Sequence, residues 1–200
     1  IVFDYVSPLG NISDVQLGVP VAINIENGIA AMALAQLGGV SNEDIKTGMA
    51  SFRGVDRRFD FKIKTDKMVY LSDYAHHPEE IKQSILSMRA LYGDKKLTGI
   101  FQPHLYTRTR DFYQEFAESL SLLDEVILTD IYPARELPIE GVSSQLIYDN
   151  LRPDIDKILC TKEEVIDILK KKEIEVLMTL GAGDIENYAP QICEILNERC

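Results

Sequence analysis

All three histidines of the chain directly follow segments with the apolar composition of buried β-strands. His76 and His77 come after MVYLSD, and His104 comes after LTGIFQ. Arg108 and Arg110 follow His104 within six residues. Where two parallel strands are neighbours, their carboxyl ends meet at the edge of the sheet where ligands bind in open α/β folds. Guanidinium groups at such an edge favour recognition of a carboxylate or a phosphate.

Asp73 ends the first of these strands, so a carboxylate joins the histidines at the same edge. Asp73, His76, His77 and His104 could be metal ligands, and a metal-dependent phosphoesterase is therefore one hypothesis. The sequence has no HxH motif, and no DxD companion follows these strands, which argues against a two-metal site. A non-catalytic module that binds a ligand at this edge is another alternative.

Three further motifs have weaker or structural meanings. GAGD, at 181–184, follows the last long strand and allows close approach to the backbone, but it does not complete a GxGxxG fingerprint. RGVDRR, at 53–58, fits either a solvated linker or an arginine that holds a nucleotide. Glu79 and Glu80 follow Pro78 at a helix start, and we assign them no chemistry. The motif GxxxxGK[ST] does not occur.

From Met68 onward, predicted strands and helices alternate, which indicates an α/β fold with a doubly wound, mostly parallel sheet. The strands are apolar almost throughout, as expected when both faces of the sheet are covered. We predict strands at 68–73, 97–102, 125–131, 157–160 and 174–180, and helices at 78–93, 110–124, 143–151, 161–172 and 185–198.

The first fifty or so residues have a different pattern. Short strand-like pieces precede an Ala-rich helix at 27–39, and a second helix starts at Ser41 with Asp44 completing its cap. We place a domain boundary near Gly54–Arg58. The chain then consists of residues 1–56, the tail of a preceding domain, and residues 57–200, the α/β domain.

Composition limits the partners and the compartment. The formal net charge of −11 argues against nucleic acid, which requires clustered Lys and Arg. Cys160, Cys193 and Cys200 show no CxxC spacing, so we expect free thiols in a reducing cytoplasm and no zinc site. No apolar run is long enough for a membrane helix, and the opening residues IVFDYVSPLG, with neither Met nor a basic segment, do not have the pattern of a signal peptide. We expect the natural amino terminus to lie further upstream.

Six segments, in order, resemble the Mur ligases, and the similarity covers essentially the whole chain. Among them, FQPHLYTRTRDF is the most specific. The segments are NIENGIAA (24–31), FRGVDRRFDF (52–61), DYAHHPEEI (73–81), FQPHLYTRTRDF (101–112), DIYPARELPIEGVSS (130–144) and GAGDI (181–185).

This resemblance implies an ATP-dependent amide ligase of peptidoglycan synthesis that joins L-alanine to UDP-N-acetylmuramate through an acyl phosphate. It also implies a Rossmann-like carboxyl-terminal domain, preceded by the tail of the central ATP-binding domain. The phosphate-binding loop, most ligands of Mg²⁺ and the domain for the UDP-sugar would lie outside this chain, which we expect to be inactive alone. A close relative that recycles murein peptides is the alternative within the family.

The resemblance further implies residue roles. Asn24, Asn27, Arg58 and Asp73 match family positions at ATP. A second group, Tyr74, His76, His104 and Arg108, matches the region around the alanine and the reacting carboxylate.

Within that second group, Arg108 is the strongest match for the alanine carboxylate. His77 and Arg110 are expected to be supporting or structural residues. Two positions depart from the family pattern: Ile23 stands where histidine is common, and Leu105 where many relatives have arginine.

Overall fold

The computed structural model describes residues 1–199 and divides into two compact units, Ile1–Val55 and Asp56–Cys200. Cys200 and the side chain of Ile23 lie outside the described part, so the expectations for them stay untested. The strands are β1 Val2–Tyr5, β2 Ile12–Gln16, β3 Asp60–Lys64, β4 Val69–Asp73, β5 Leu97–Phe101, β6 Glu125–Leu128, β7 Asp156–Leu159 and β8 Val176–Leu180. The helices are α1 Ile23–Leu37, α2 Asn42–Ser51, α3 Pro78–Leu91, α4 Tyr106–Leu120, α5 Gln145–Asn150, α6 Val165–Lys170 and α7 Ala189–Asn197.

The first unit consists of an antiparallel pair, β1 and β2, with the helices α1 and α2. Val15 and Met32 are among the residues of its small buried core. The predicted cap of α2 is confirmed, because Ser41 Oγ accepts a hydrogen bond of 3.2 Å from the Asp44 amide. Helix α1 begins four residues earlier than predicted, so Asn24 and Asn27 lie within it.

The second unit is built on a six-stranded sheet of order β3-β4-β8-β5-β6-β7. Five neighbouring strands, β4, β8, β5, β6 and β7, run parallel to one another, and β3 pairs antiparallel with β4 at one edge. Strands β5, β6 and β8 are buried along their whole length, as the unbroken apolar segments predicted. The predicted α/β class with a mostly parallel sheet is therefore confirmed.

In the second unit, β3, α4 and the last helix differ from the sequence-based expectation. Strand β3 was not predicted, because its residues are mainly half-exposed and charged, as is common at a sheet edge. Helix α4 begins at Tyr106 rather than Arg110 and is kinked at Phe112. The last helix is preceded by a 3₁₀ turn, Asp184–Tyr188, and α7 starts only at Ala189, with Pro190 in its first turn.

Gly181 ends β8 in a conformation that only glycine adopts easily. Its φ angle is +141°, and an added Cβ would lie 2.8 Å from the carbonyl oxygen of Gln102. Gly141 also has a positive φ, +77°, but has nothing within 4 Å of the added Cβ. The two glycines therefore separate the cost of backbone strain from the cost of a backbone collision.

We predict that Gly181→Ala lowers the free energy of unfolding by about 3 kcal/mol, because strain and collision combine. Gly141→Ala, the matched control, should cost about 1 kcal/mol from strain alone. Urea unfolding of both variants measures the difference. Equal losses would show that the segment after β5 moves aside easily.

Candidate functional site

The carboxyl ends of β4, β8, β5 and β6 lie side by side and bring several predicted site residues together. The ring centroids of Tyr74 and His76 are 5.2 Å apart, and those of His76 and His104 are 5.9 Å apart. Arg108 Nη1 lies 3.3 Å from His104 Nδ1. All four predicted substrate-region residues thus form one continuous group, which we call the histidine cluster: Tyr74, His76, His104 and Arg108.

His76 is held by two acceptors from the loop after β4 and the start of α3. Its Nδ1 lies 2.9 Å from the carbonyl oxygen of Tyr74 and 3.5 Å from Glu80 Oε2. The same Glu80 carboxylate accepts hydrogen bonds from the backbone amides of His76 and His77. Glu80, to which the sequence analysis gave no chemistry, therefore both caps α3 and fixes the His76 ring.

His104 is half-buried between charged and aromatic neighbours. Its ring stacks on that of Tyr132, with centroids 5.6 Å apart. Burial has the largest effect on the pKa of His104 and lowers it below its usual range, and the nearby Arg108 and His76 lower it further. The ring is therefore neutral at neutral pH, and its Nδ1 can accept a hydrogen bond from Arg108.

A segment after β6 clamps the start of α4. The Leu105 amide donates to the Tyr132 carbonyl oxygen over 2.9 Å, and the Tyr132 amide donates to Pro103. Leu105 stands at the cap position with a φ of +75° and no side-chain acceptor. Glu136 replaces that acceptor, because its carboxylate takes hydrogen bonds from the amide and the hydroxyl of Thr107.

These hydrogen bonds from Thr107 hold the pKa of Glu136 below its usual range. Tyr132 and Glu136 lie in the segment DIYPARELPIEGVSS, yet sequence reasoning gave neither residue a role. Their contacts join positions that are far apart in the chain, so no local sequence pattern predicts these contacts.

Arg57 and Arg58 lie beside the ring of Tyr74. The guanidinium carbon of Arg57 is 4.7 Å from the ring centroid, and that of Arg58 is 5.8 Å away. Arg57 Nη2 also donates to the Gly183 carbonyl oxygen over 3.3 Å, and within the described part of the chain its buried Nε has no hydrogen-bond partner. Arg57 thus links the loops after β4 and β8, a role that the sequence analysis did not give it.

The predicted nucleotide residue Asp73 is turned into the protein. Its Oδ1 accepts a hydrogen bond of 3.2 Å from the Phe59 amide, and its Oδ2 accepts one from the Ser84 hydroxyl. Burial raises the pKa of Asp73 above its usual range, although these hydrogen bonds oppose the shift. Both carboxylate oxygens are therefore occupied by protein donors in this structure.

The GAGD turn is fixed by the buried side chain of Gln102. Gln102 Nε2 donates to Asp184 Oδ1 over 2.7 Å, and its Oε1 accepts from the Ile185 amide over 3.0 Å. Asp184 also forms an ion pair with Lys162, from the segment after β7. A Cβ on Gly183 would collide with Gln102 and the Tyr132 ring, so glycine permits close packing at this turn.

The remaining predicted residues have local contacts. Asn24 Nδ2 donates to the Val19 carbonyl oxygen over 3.2 Å, and Asn27 Nδ2 donates to Asn24 Oδ1 over 3.4 Å. The ring of His77 packs on Phe112 with centroids 5.0 Å apart, on α4 rather than in the histidine cluster. Exposed Arg110 forms an ion pair with its neighbour Asp111.

Among residues 1–199, no three side chains of His, Cys, Asp or Glu gather into a group that could hold a metal ion. None of the described helices is long and apolar enough to cross a membrane.

Comparison with known proteins identifies relatives. Residues 57–185 match the family described as Mur ligase, glutamate ligase domain. The chain is 77% identical, over 199 residues, to the UDP-N-acetylmuramate–L-alanine ligase of Phocaeicola vulgatus. That match covers 100% of this chain and 43% of the relative, so the chain spans less than half of the curated relative's length.

Solved structures extend the comparison to the fold. The UDP-N-acetylmuramate–alanine ligase of Thermotoga maritima superposes with a TM-score of 0.77 and 26% identity, covering 96% of this chain and 41% of that one. A murein peptide ligase from Psychrobacter arcticus gives a TM-score of 0.67 at 17% identity, covering 94% of this chain and 39% of that one. At 17% identity the second comparison supports the shared fold alone.

We predict that Asp73→Asn removes a pH dependence of stability. Because the folded-state pKa of Asp73 is raised, folding favours its protonated form. Its contribution to stability is therefore present at acid pH and is lost as pH rises from about 3.8 through the raised folded value. The difference in free energy of unfolding, wild type minus variant, should fall across that window. Urea unfolding between pH 4 and pH 7 measures it, and a pH-independent difference would contradict the assignment.

Proposed function

This chain belongs to the Mur ligase family, and we propose that it is the carboxyl-terminal part of an ATP-dependent ligase that joins L-alanine to UDP-N-acetylmuramate in peptidoglycan synthesis. The observation that supports this most strongly is the 77% identity over the whole chain to a relative of that name. The murein-peptide alternative has less support, since it rests on 17% identity. A metal phosphoesterase would need a donor cluster that the described residues do not assemble.

In this proposal, ATP transfers its terminal phosphoryl group to the muramoyl carboxylate, and ADP leaves. The alanine nitrogen then attacks the acyl phosphate, the amide bond forms and phosphate leaves. A carboxylate oxygen is a poor leaving group, and phosphorylation replaces it with a better one. Holding the amine beside the acyl phosphate supplies proximity, and excluding water prevents hydrolysis of the intermediate.

Arg108 is the proposed receptor for the alanine carboxylate. Its guanidinium carries a fixed charge, and its contact with neutral His104 orients it without cancelling that charge. Tyr74 and the two histidines would surround the rest of the small substrate. Leu105 supplies no cation where many relatives are expected to have one, which leaves more of the anion recognition to Arg108.

For ATP, we propose Arg58 in the second unit and, separately and from the family resemblance alone, Asn24 and Asn27 in the first unit. Arg58 is exposed beside Tyr74 and is free to turn toward a phosphate or ribose. The proposed ribose contact of Asp73 has weaker support, because protein donors occupy both of its oxygens. Mg²⁺ would come with ATP and be held mainly by residues outside this chain.

The missing partners in this proposal are the amino-terminal domains of the same protein, which would supply the phosphate-binding loop and the UDP-sugar site. A cytoplasmic location belongs to the proposal too. A reducing compartment suits the thiols of Cys160 and Cys193, both of which are free.

We predict that the isolated 200-residue chain forms no amide, because it would lack the groups that grip the phosphates. Release of phosphate from ATP, with UDP-N-acetylmuramate and L-alanine present, measures turnover. The whole protein that contains this chain is the positive control. Turnover by the isolated chain would refute the proposal that the phosphate-binding groups lie outside it.

We also predict that Arg108→Ala in the whole enzyme raises the KM for alanine by about 10- to 100-fold, as expected for loss of a charge-assisted hydrogen bond. The KM for ATP should change far less. Arg110→Ala is the matched control, since Arg110 is exposed and pairs with Asp111. Equal rises in both KM values would contradict the alanine assignment.

A further inference from the structure

The two histidines of the histidine cluster are held in opposite hydrogen-bonding states. His76 Nδ1 lies 2.9 Å from the Tyr74 carbonyl oxygen, which can only accept. His76 Nδ1 must therefore carry the hydrogen, and a neutral His76 presents an unprotonated Nε2. That nitrogen has a lone pair available for a proton.

His104 has the reverse arrangement. Its Nδ1 lies 3.3 Å from Arg108 Nη1, and a guanidinium can only donate. His104 Nδ1 must accept, so in the neutral ring Nε2 carries the hydrogen. His104 can donate a hydrogen bond to a ligand but has no free nitrogen that could take a proton from it.

The charges around His76 suit a group that gains a proton. On α3, Glu80 Oε2 lies 3.5 Å from His76 Nδ1, where it would stabilise an imidazolium. The Tyr74 ring faces His76 from the preceding loop, and His104 faces it from the segment after β5. Arg108, which lies 3.3 Å from His104 Nδ1, is the positive charge of the histidine cluster that opposes a proton on His76.

We propose that His76 is the general base that takes a proton from the ammonium group of the incoming amino acid. This inference rests on the proposed function and names the group that makes the amine reactive. An ammonium nitrogen has no lone pair, so it cannot attack an acyl phosphate until one N–H bond breaks.

The ammonium N–H bond breaks, its electron pair stays on nitrogen, and the proton forms a bond to His76 Nε2. The freed pair then forms the C–N bond, and the C–O bond to phosphate breaks with its electrons leaving on phosphate. The nitrogen releases its second proton to solvent, and after the product leaves, the imidazolium next to Glu80 also releases its proton to solvent.

His76→Asn in the whole enzyme tests the proposal. The asparagine amide can still donate to the Tyr74 carbonyl oxygen, but nothing replaces the basic Nε2. We expect kcat with alanine to fall by about 10²- to 10⁴-fold, as for loss of a general base. The KM for alanine should change by less than about threefold. His77→Asn is the matched control: it makes the same substitution at the neighbouring ring, which contacts Phe112, and asparagine retains a good helix cap.

Hydroxamate formation from hydroxylamine distinguishes a role of His76 as a base from a purely structural role. Hydroxylamine is largely neutral at pH 7 and needs no base before it attacks an acyl phosphate, so His76→Asn should form hydroxamate at close to the wild-type rate. Loss of hydroxamate in parallel with loss of amide would overturn the proposal, as would an unchanged kcat with alanine. Failure of the proposed function would give a different result: the wild-type enzyme itself would form no amide.

Discussion

The site depends on one constraint: parallel strands that are buried on both faces must end together. Strand β8 is hydrogen-bonded to β4 on one side and to β5 on the other, which fixes the carboxyl ends of all three at one edge. The loops that leave this edge therefore meet without any sequence proximity. Gln102 then locks the turn after β8 to the segment after β5, so the positions of the loops are set by the sheet and by one buried amide.

Charge acts locally in this protein rather than globally. The chain is strongly acidic, yet Arg57, Arg58 and Arg108 all lie beside the aromatic rings at the carboxyl edge of the sheet. The acidic neighbours there are already engaged: Glu80 with the first turn of α3, and Glu136 with the first turn of α4. Carboxylates bound to backbone amides orient the histidine cluster without competing for its arginine.

Much of the fold could be predicted from the sequence, because its buried strands and amphipathic helices have distinct periods. The grouping of Tyr74, His76, His104 and Arg108 also followed, from strand ends for the histidines and from family resemblance for Tyr74. Three features could not be predicted for physical reasons. Strand β3 is short and charged, the start of α4 is capped by distant Glu136, and Asp73 faces inward because Ser84 and the Phe59 amide meet it there.

The long-range cap of α4 also bears on how this domain can vary in evolution. Surface loops usually tolerate insertions and deletions because little depends on their length. The segment between β6 and α5 is different: Tyr132 and Glu136 must reach the amides of Leu105 and Thr107. A change of length before Glu136 would remove the acceptor from the first turn of α4 and shift Arg108. This loop, although exposed in places, is therefore held to a fixed length by the helix it caps.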